Sequence, residues 1–410
     1  MTVAIGRRVA QWRVRRRMTQ QVFADRIGRS KSWVDKVERG VRTLDKFSLI
    51  QQIADVLRVD PTELLGNDGQ QRPGTAPGDA TAGVDAVRVA LASYDVFTSA
   101  PDSVVRNLSG EVSRRVEHAW AMYRHGDYPR LLRAVPELLD AARQLHGQRP
   151  EHGTALLVQA YRVTALVLVK VGEAELAWLA ADRALAAAGG DRLLAASAVV
   201  PLGQALRGLG QHRLAMAVTI TAADRVAALT EGAASREGAA GTEHRSVYGA
   251  LLLQAGLAAA GCGDNAAAGE LLTRAADVAG QVGDGRIGDG QDYRASGFGP
   301  AAVELARVVA AAHLGDARQA VRRHETAASR QLWQGLPAEH RAAYLVDAAR
   351  AHLDTGDPTG AGRWLVEADR VAPAEIRCRP SARTVVAEVA RCGPQVAGVA
   401  RLATALGLIR

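Results

Sequence analysis

Aromatic residues make up only 4% of the 410-residue chain, and cysteine occurs at three positions, Cys262, Cys378 and Cys392. An odd number of cysteines at these spacings matches neither a zinc-ligand pattern nor a disulfide framework. They read as reduced, buried thiols of a cytosolic protein. Whether Cys378 and Cys392 form a redox pair stays open, because sequence separation does not set a sulfur-to-sulfur distance. Long apolar runs are also missing, with no window of about 18 uncharged apolar residues to cross a bilayer. The arginine-rich start MTVAIGRRVAQWRVRRR is not followed by the apolar stretch and small-residue cleavage site of a secretory signal. The expectation is a cytoplasmic chain without a membrane partner. Lysine is scarce as well: Lys31, Lys36 and Lys46 lie in the first 66 residues and only Lys170 lies beyond them. The arginine bias elsewhere looks genomic, as in a GC-rich bacterium.

Catalytic patterns are absent too. Gly283, Gly285 and Gly288 spell a dinucleotide fingerprint, but that motif needs a preceding strand and a helix opening on its last glycine, and here a helix precedes and more loop follows. None of the four lysines follows a glycine as a phosphate-binding loop requires. His324-Glu325 begins like a zinc-protease helix, yet Ala328 stands in the place of the second ligand. No serine sits between glycines in a nucleophile elbow. The chain reads as a non-enzyme with no cofactor and no metal.

What is present is a basic N-terminus. Residues 1–66 hold 14 basic against 7 acidic residues, and the remainder holds 37 against 36, so the positive balance is confined to the first segment. That is the charge footprint of a nucleic-acid-binding domain. Within it, TQQVFADRIGRSKSWVDKVERG (19–40) reads as two short helices joined by a tight turn. Thr19 and Ser30 are N-caps, Gly28 supplies the turn, and Phe23, Ala24, Ile27, Val34 and Val37 face inward. At about 100° per residue, Ser32, Lys36 and Arg39 fall on the opposite face with Asp35 beside them, and Lys31 stands in the exposed first turn. Such a face suits base edges and phosphates. A preceding helix over 5–17 turns Val9 and Trp12 inward and Arg7, Arg8, Arg13, Arg15 and Arg16 mostly to water, and helices over 44–58 and 61–65 follow.

On these residues the segment 4–65 resembles the Cro and phage-repressor helix-turn-helix (the xenobiotic-response-element family). Gln20 stands at that family's helix-two glutamine, Ala24 at the small residue where the helices cross, and Glu38-Arg39-Gly40 at the close of the third helix, with Ala54 and Leu57 fitting the fourth. Arg29 departs, since that turn position is usually apolar. The resemblance implies base or phosphate contacts from Gln20, Ser30, Lys31, Ser32 and Lys36 and backbone clamps at Arg17, Arg39 and Arg42. Trp33 either wedges against the sugar-phosphate backbone or packs beside helix two.

Residues 66–83, GNDGQQRPGTAPGDATAG, are polar, without periodicity and punctuated by Gly and Pro, and read as a linker spanning roughly 20–25 Å as a coil. The expected domains are a helix-turn-helix domain at 1–66, a linker at 67–83 and a helical body at 84–410. From Val84 onward only helical patterns occur, in pairs whose junctions repeat a glycine and a polar residue: Gly126-Asp127, Gly172-Glu173, Gly210-Gln211, Gly263-Asp264, Gly315-Asp316 and Gly356-Asp357. Small residues such as Ala177, Ala181, Ala184, Ala361 and Ala368 follow, where helices must approach closely. The pattern resembles the tetratricopeptide repeat at longer and irregular intervals. The fold class is all-α: a five-helix repressor-type domain followed by a tetratricopeptide-like α-solenoid with a concave surface. Two stretches interrupt the pairs, a loop at 231–243 and another at 283–299.

From GFGPAAVELARVVAAAHLGDARQA through YLVDAARAHLDTGD, VEADRVAP and RCRPSARTVVAEV, the body resembles regulators common in actinobacteria that join this helix-turn-helix to a tetratricopeptide-like body. Members occur in many pathways, including control of antibiotic clusters. Where relatives often read Phe-Gly-Pro-Thr-Asn-Val, this chain has Phe298-Gly299-Pro300-Ala301-Ala302-Val303. The sparse aromatic and arginine residues nominate an effector site from Tyr161, Arg162, Tyr248, Tyr293, Arg294, Phe298 and Arg307. The functional expectation is a DNA-binding transcriptional regulator, a homodimer on a palindromic double-stranded operator, controlled by a small molecule or peptide in the solenoid and suited to a specialised-metabolite gene cluster. The alternative is an interaction scaffold whose solenoid recruits a partner protein to DNA.

Overall fold

The computed structural model describes residues 5–16, 18–39, 52–54, 56–57, 59, 79–93, 108–231, 239–282, 297–329, 336–393 and 398–408. All regular structure among them is helical, and the chain divides into two compact units, residues 1–76 and 77–410.

In the first unit α1 (Ile5–Arg15), α2 (Gln20–Arg26) and α3 (Lys31–Glu38) enclose a small core. Thr19 Oγ1 accepts the N–H of Val22 and Ser30 Oγ that of Trp33, each at 3.2 Å, so each cap satisfies a donor that the helix leaves unpaired. Gly28 turns the chain at φ 65°, and the Arg29 N–H reaches back to the Ala24 carbonyl at 2.9 Å. Val9, Phe23, Ala24, Ile27, Val34 and Val37 are buried, joined by Ile53, Ala54 and Leu57 from the helical residues 52–54 and 56–57. The rest of the expected fourth helix, and the fifth at 61–65, lie outside the described residues. Gly6 lets α1 cross α3 closely, since a Cβ there would stand 1.8 Å from the Val37 carbonyl oxygen.

The second unit opens with α4 (Asp79–Ala92). This corrects the expected linker end at 83: Gly83 is a packing glycine, where a Cβ would come within 2.9 Å of Leu132 Cβ. Six helical hairpins follow: α5 (Leu108–Arg124) with α6 (Tyr128–Gln148), α7 (Pro150–Lys170) with α8 (Ala174–Ala187), α9 (Arg192–Gly208) with α10 (His212–Glu231), α11 (Ala239–Cys262) with α12 (Asn265–Val282), α13 (Pro300–His313) with α14 (Ala317–Ser329), and α15 (Ala338–Asp354) with α16 (Pro358–Val371). The short α17 (Pro373–Arg377), α18 (Pro380–Arg391) and α19 (Val399–Ala405) close the unit.

Each glycine–polar junction named in the sequence closes one hairpin with the same left-handed glycine and backbone bond, and the side chains of Asp264, Asp316 and Asp357 add an N-cap. At Gly356, φ is 85°, and the Asp357 N–H bonds the His352 carbonyl at 2.9 Å while Asp357 Oδ1 caps the Gly360 N–H at 2.8 Å. One helix is thus terminated and the next started by two adjacent residues. Ala177, Ala181, Ala184, Ala361 and Ala368 are fully buried, as the close approach of paired helices requires. Helix α11 starts at Ala239, so the second part of the loop expected at 231–243 is helical. Among the described residues α7 is long and apolar enough to cross a membrane, but 72% of that stretch is buried in the unit, which makes it a core helix. Two thiols expected to be buried are not: Cys262 and Cys392 are exposed, because they fall at the ends of α11 and α18, and Cys378 is half-buried; none of the three forms a disulfide.

The first helices of the hairpins, α5, α7, α9, α11, α13 and α15, pack side by side in chain order, and α15 also touches α5. The row therefore closes on itself. An ionic cluster sits at the closure: Lys170 Nζ, on the last residue of α7, lies 2.7 Å from Glu339 Oε2 of α15 and 2.6 Å from Glu375 Oε1 of α17. Tyr128 OH donates to the same Glu375 oxygen, and Arg379 approaches Glu375 at 3.6 Å and Asp347 at 3.5 Å. Burial alone would lower the pKa of Lys170, but Glu339 and Glu375 outweigh it and raise it. Burial would raise that of Glu375, and Lys170 and Arg379 hold it below the usual carboxylate range. Lys170, Arg207 and His313 all stand in the last turn of a first helix, where the helix dipole favours a cation. Burial nevertheless pushes the Arg207 guanidinium down to about 10 and His313 down to about 4.

The His324-Glu325 pair lies on α14. His324 is 0% exposed, shares a 2.6 Å hydrogen bond between its Nδ1 and Tyr344 OH, and packs edge-on to Trp364 with ring centres 4.5 Å apart. Burial, with His352 nearby, lowers its pKa to about 4.

Two outcomes are expected. Lys170→Met leaves Glu339 and Glu375 buried without their cation, and chemical denaturation should show a loss of about 3–5 kcal/mol. A loss under about 1 kcal/mol would remove the cluster from the closure. For His324, the folded pKa of about 4 lies below the usual 6.5. The unfolded chain therefore takes up the proton first, and stability is full above pH 6.5, falls as pH drops toward 4 and levels off below it. A pH series of thermal unfolding should show this decline, and His324→Gln should make it shallower, leaving the part that the likewise depressed His313 contributes.

Candidate nucleic-acid interface and helical body

The exposed face of α3 carries Lys31, Ser32 and Lys36, with Arg39 just beyond its end. Arg39 pairs with Asp35 across one turn, and both side chains stay largely open to solvent. Ser30 is exposed and spends its hydroxyl on the helix cap. Trp33 is half-buried and packs against the domain core, with the Arg29 guanidinium 5.7 Å from its ring centre. That contact gives the unusual turn arginine a place: its charge lies over an aromatic face. Arg17 and Arg42 lie outside the described residues.

Two residues make contacts that the sequence reading did not include. Gln20 is half-buried and donates through Nε2 to Glu38 Oε2 at 2.8 Å. Arg13, expected on the wet side of α1, makes a two-pronged pair with Glu38, Nε to Oε1 at 2.6 Å and a terminal nitrogen to Oε2 at 3.0 Å. A further Arg13 nitrogen donates to the Met18 carbonyl at 2.7 Å. Glu38, 8% exposed, thus ties α3 to α1 and to the start of α2. The signal was in the spacing: four residues after Val34, Glu38 falls on the buried stripe rather than beside Lys36. A buried carboxylate on that stripe requires a cation opposite.

Five of the effector candidates fall among the described residues of the body. Tyr161 is buried, and its hydroxyl accepts from Arg143 Nε at 3.0 Å. Arg162, 1% exposed, donates to Gln159 Oε1 at 2.9 Å and lies over the Trp120 ring. Tyr248 accepts from Arg274 at 2.9 Å, and Arg307 pairs with Glu304 on its own helix at 2.6 Å. Phe298 fills the apolar core against Gly249, where a Cβ would stand 2.0 Å from its ring. Ala301, Ala302 and Val303 are likewise buried, so the apolar departure from the relatives' pattern falls in the core. Tyr293 and Arg294 lie outside the described residues. What sequence reasoning missed is the charge cluster around Lys170, whose signal was the lone lysine of the body at the end of an otherwise apolar helix.

A helix-turn-helix domain family matches residues 4–65. Among solved structures, the chain is similar to Bacillus thuringiensis PlcR in complex with the peptide PapR7 and DNA, at 12% identity over 80% of this chain and 96% of that one, with a TM-score of 0.36. Aspartyl phosphate phosphatase F from Bacillus subtilis aligns at 13% identity, 90% and 96% coverage and a TM-score of 0.42. ComR from S. thermophilus, in complex with DNA and its signalling peptide ComS, aligns at 13% identity, 95% and 100% coverage and a TM-score of 0.23. A comparison with curated proteins finds no match. The match, the capped α2–turn–α3 unit and the basic outer face of α3 agree on one conclusion: residues 4–65 are a helix-turn-helix domain.

Proposed function

We propose that this protein is a cytoplasmic transcriptional regulator that acts as a homodimer on a palindromic operator, with an effector bound in its helical body. The observation that carries the reading is the exposed Lys31, Ser32 and Lys36 face of α3, fixed from behind by the Arg13–Glu38–Gln20 contact. The contact holds the helix at a set angle while leaving the outer side chains free for base edges and phosphates. One such head covers too few base pairs for tight specific binding. Two heads on half-sites one or two helical turns apart, about 34 Å per turn, supply the rest. The effector, a small molecule or a peptide, would shift the placement of the two heads and so decide whether both half-sites are reached together. Control of a specialised-metabolite gene cluster is the biological setting that this reading favours. Catalysis has no part in it.

Genomic DNA pull-down with the purified protein, at one stated salt concentration, tests the reading. The wild type should recover a palindromic motif, and a Lys31→Ala/Lys36→Ala variant should lose it. On the recovered site, the slope of log affinity against log salt should shrink by about 0.9 for each phosphate contact removed. Diffuse, salt-sensitive binding without a motif would overturn specific regulation in favour of a scaffold that merely rests on DNA.

A further inference from the structure

We propose that Arg29, in the turn ahead of α3, clamps a backbone phosphate of the bound DNA, and that Trp33 is the platform that holds it ready. This role rests on the DNA-binding reading and adds to it a residue outside the Lys31, Ser32 and Lys36 face.

Arg29 is exposed and directly precedes Ser30, the N-cap of α3. A recognition helix enters the major groove with its N-terminal residues against base edges. A side chain just ahead of the cap is then carried to the rim of the groove, where the phosphates run. Its backbone is held at that point: Gly28 sets the turn at φ 65°, and the Arg29 N–H bonds the Ala24 carbonyl at 2.9 Å.

The side chain is held as well, and not by an ion pair. Three acidic residues are described in the domain, and each is engaged elsewhere: Asp25 with Gln21 at 2.8 Å, Asp35 with Arg39, and Glu38 with Arg13 and Gln20. The Arg29 guanidinium lies instead over the Trp33 ring, 5.7 Å from its centre. An aromatic face attracts the cation without taking any of its N–H donors, whereas a carboxylate in the same place would neutralise it and take two. Trp33 is packed against the domain core, so the platform is fixed. Arg29 therefore keeps its charge and its fork for a ligand while its orientation is already set. A planar fork suits two oxygens of one phosphate, and a preset side chain loses less freedom on contact than one extended into water.

A base edge is the competing target, and the position of the platform disfavours it. Trp33 lies about 60° round the helix from Lys36. A guanidinium anchored over that ring stands beside the Ser32 and Lys36 face rather than on it, toward the strand that borders the groove. Contact there adds affinity on any sequence.

The test uses the full-length protein, the operator recovered by pull-down and an unrelated duplex of the same length, each titrated by fluorescence anisotropy over a salt series. Arg29→Ala should weaken both duplexes about tenfold near 0.1 M salt and lower the slope of log affinity against log salt by about 0.9, with the preferred motif unchanged. Arg29→Lys keeps the charge and should keep the slope. Trp33→Leu should weaken binding about threefold at the wild-type slope and add nothing in the Arg29→Ala background. Nitrogen-15 NMR reads the stacking without touching Trp33: the Arg29 Nε–H signal, identified by its loss in Arg29→Ala, should be shifted upfield by the ring. If Trp33→Leu does not fold, that signal decides the role of Trp33. An unchanged slope in Arg29→Ala, or a preference relaxed at a single base pair, would overturn the phosphate clamp. An unshifted signal, or a further loss from Trp33→Leu in the Arg29→Ala background, would overturn the platform. The two duplexes let the readings fail separately. A wild type without a motif overturns specific regulation while the unrelated duplex still counts the phosphate, and a wild type that finds its motif with an unchanged Arg29→Ala slope overturns Arg29 alone.

Discussion

The helical body depends on one buried ion cluster, Lys170 between Glu339 and Glu375. A row of hairpins has no intrinsic reason to stop curving at a particular point, because each hairpin contacts only its neighbours. Here the sixth hairpin meets the first, and the residues at the meeting are charged. Apolar contacts at that seam would tolerate sliding. A lysine held by two carboxylates at 2.7 and 2.6 Å, one of them also taking the Tyr128 hydroxyl, does not. The cluster adds little net stability compared with an apolar seam of the same shape, but it fixes one register.

The N-terminal domain uses the same device on a smaller scale. Glu38 sits on the apolar stripe of α3 and is neutralised by Arg13 from α1 and hydrogen-bonded by Gln20 from α2. With so small a core of aliphatic residues and one phenylalanine, the angle at which α3 leaves the domain would otherwise depend on packing alone. The ionic contact fixes it, and a recognition helix is useful only at a defined angle to the groove.

Much of this was legible in the sequence because it is local. Caps at Thr19 and Ser30, the turn at Gly28 and the six glycine–polar hairpin closures depend on adjacent residues and follow from backbone chemistry. The buried alanines follow from size. The long-range pairings were not legible: Tyr128 and Lys170 meet Glu375 only after more than 200 residues of helix have been stacked, and no spacing rule encodes that. The effector candidates show the converse. Phe298, read as a ligand contact, fills space against Gly249 in an alanine-rich body.

Arg143 links these parts mechanically. Its guanidinium donates to the Ala90 carbonyl at the end of α4 at 2.6 Å and to the Tyr161 hydroxyl of α7 at 3.0 Å. Any rotation of α7 that displaces Tyr161 must either break a buried hydrogen bond or drag the C-terminal end of α4 along. Helix α4 is also the first element of its unit, held near its start where Gly83 meets Leu132. Val84, Val87, Ala90 and Leu91 seat the helix along its length, so the Arg143 bonds add a polar lock to a continuous apolar contact.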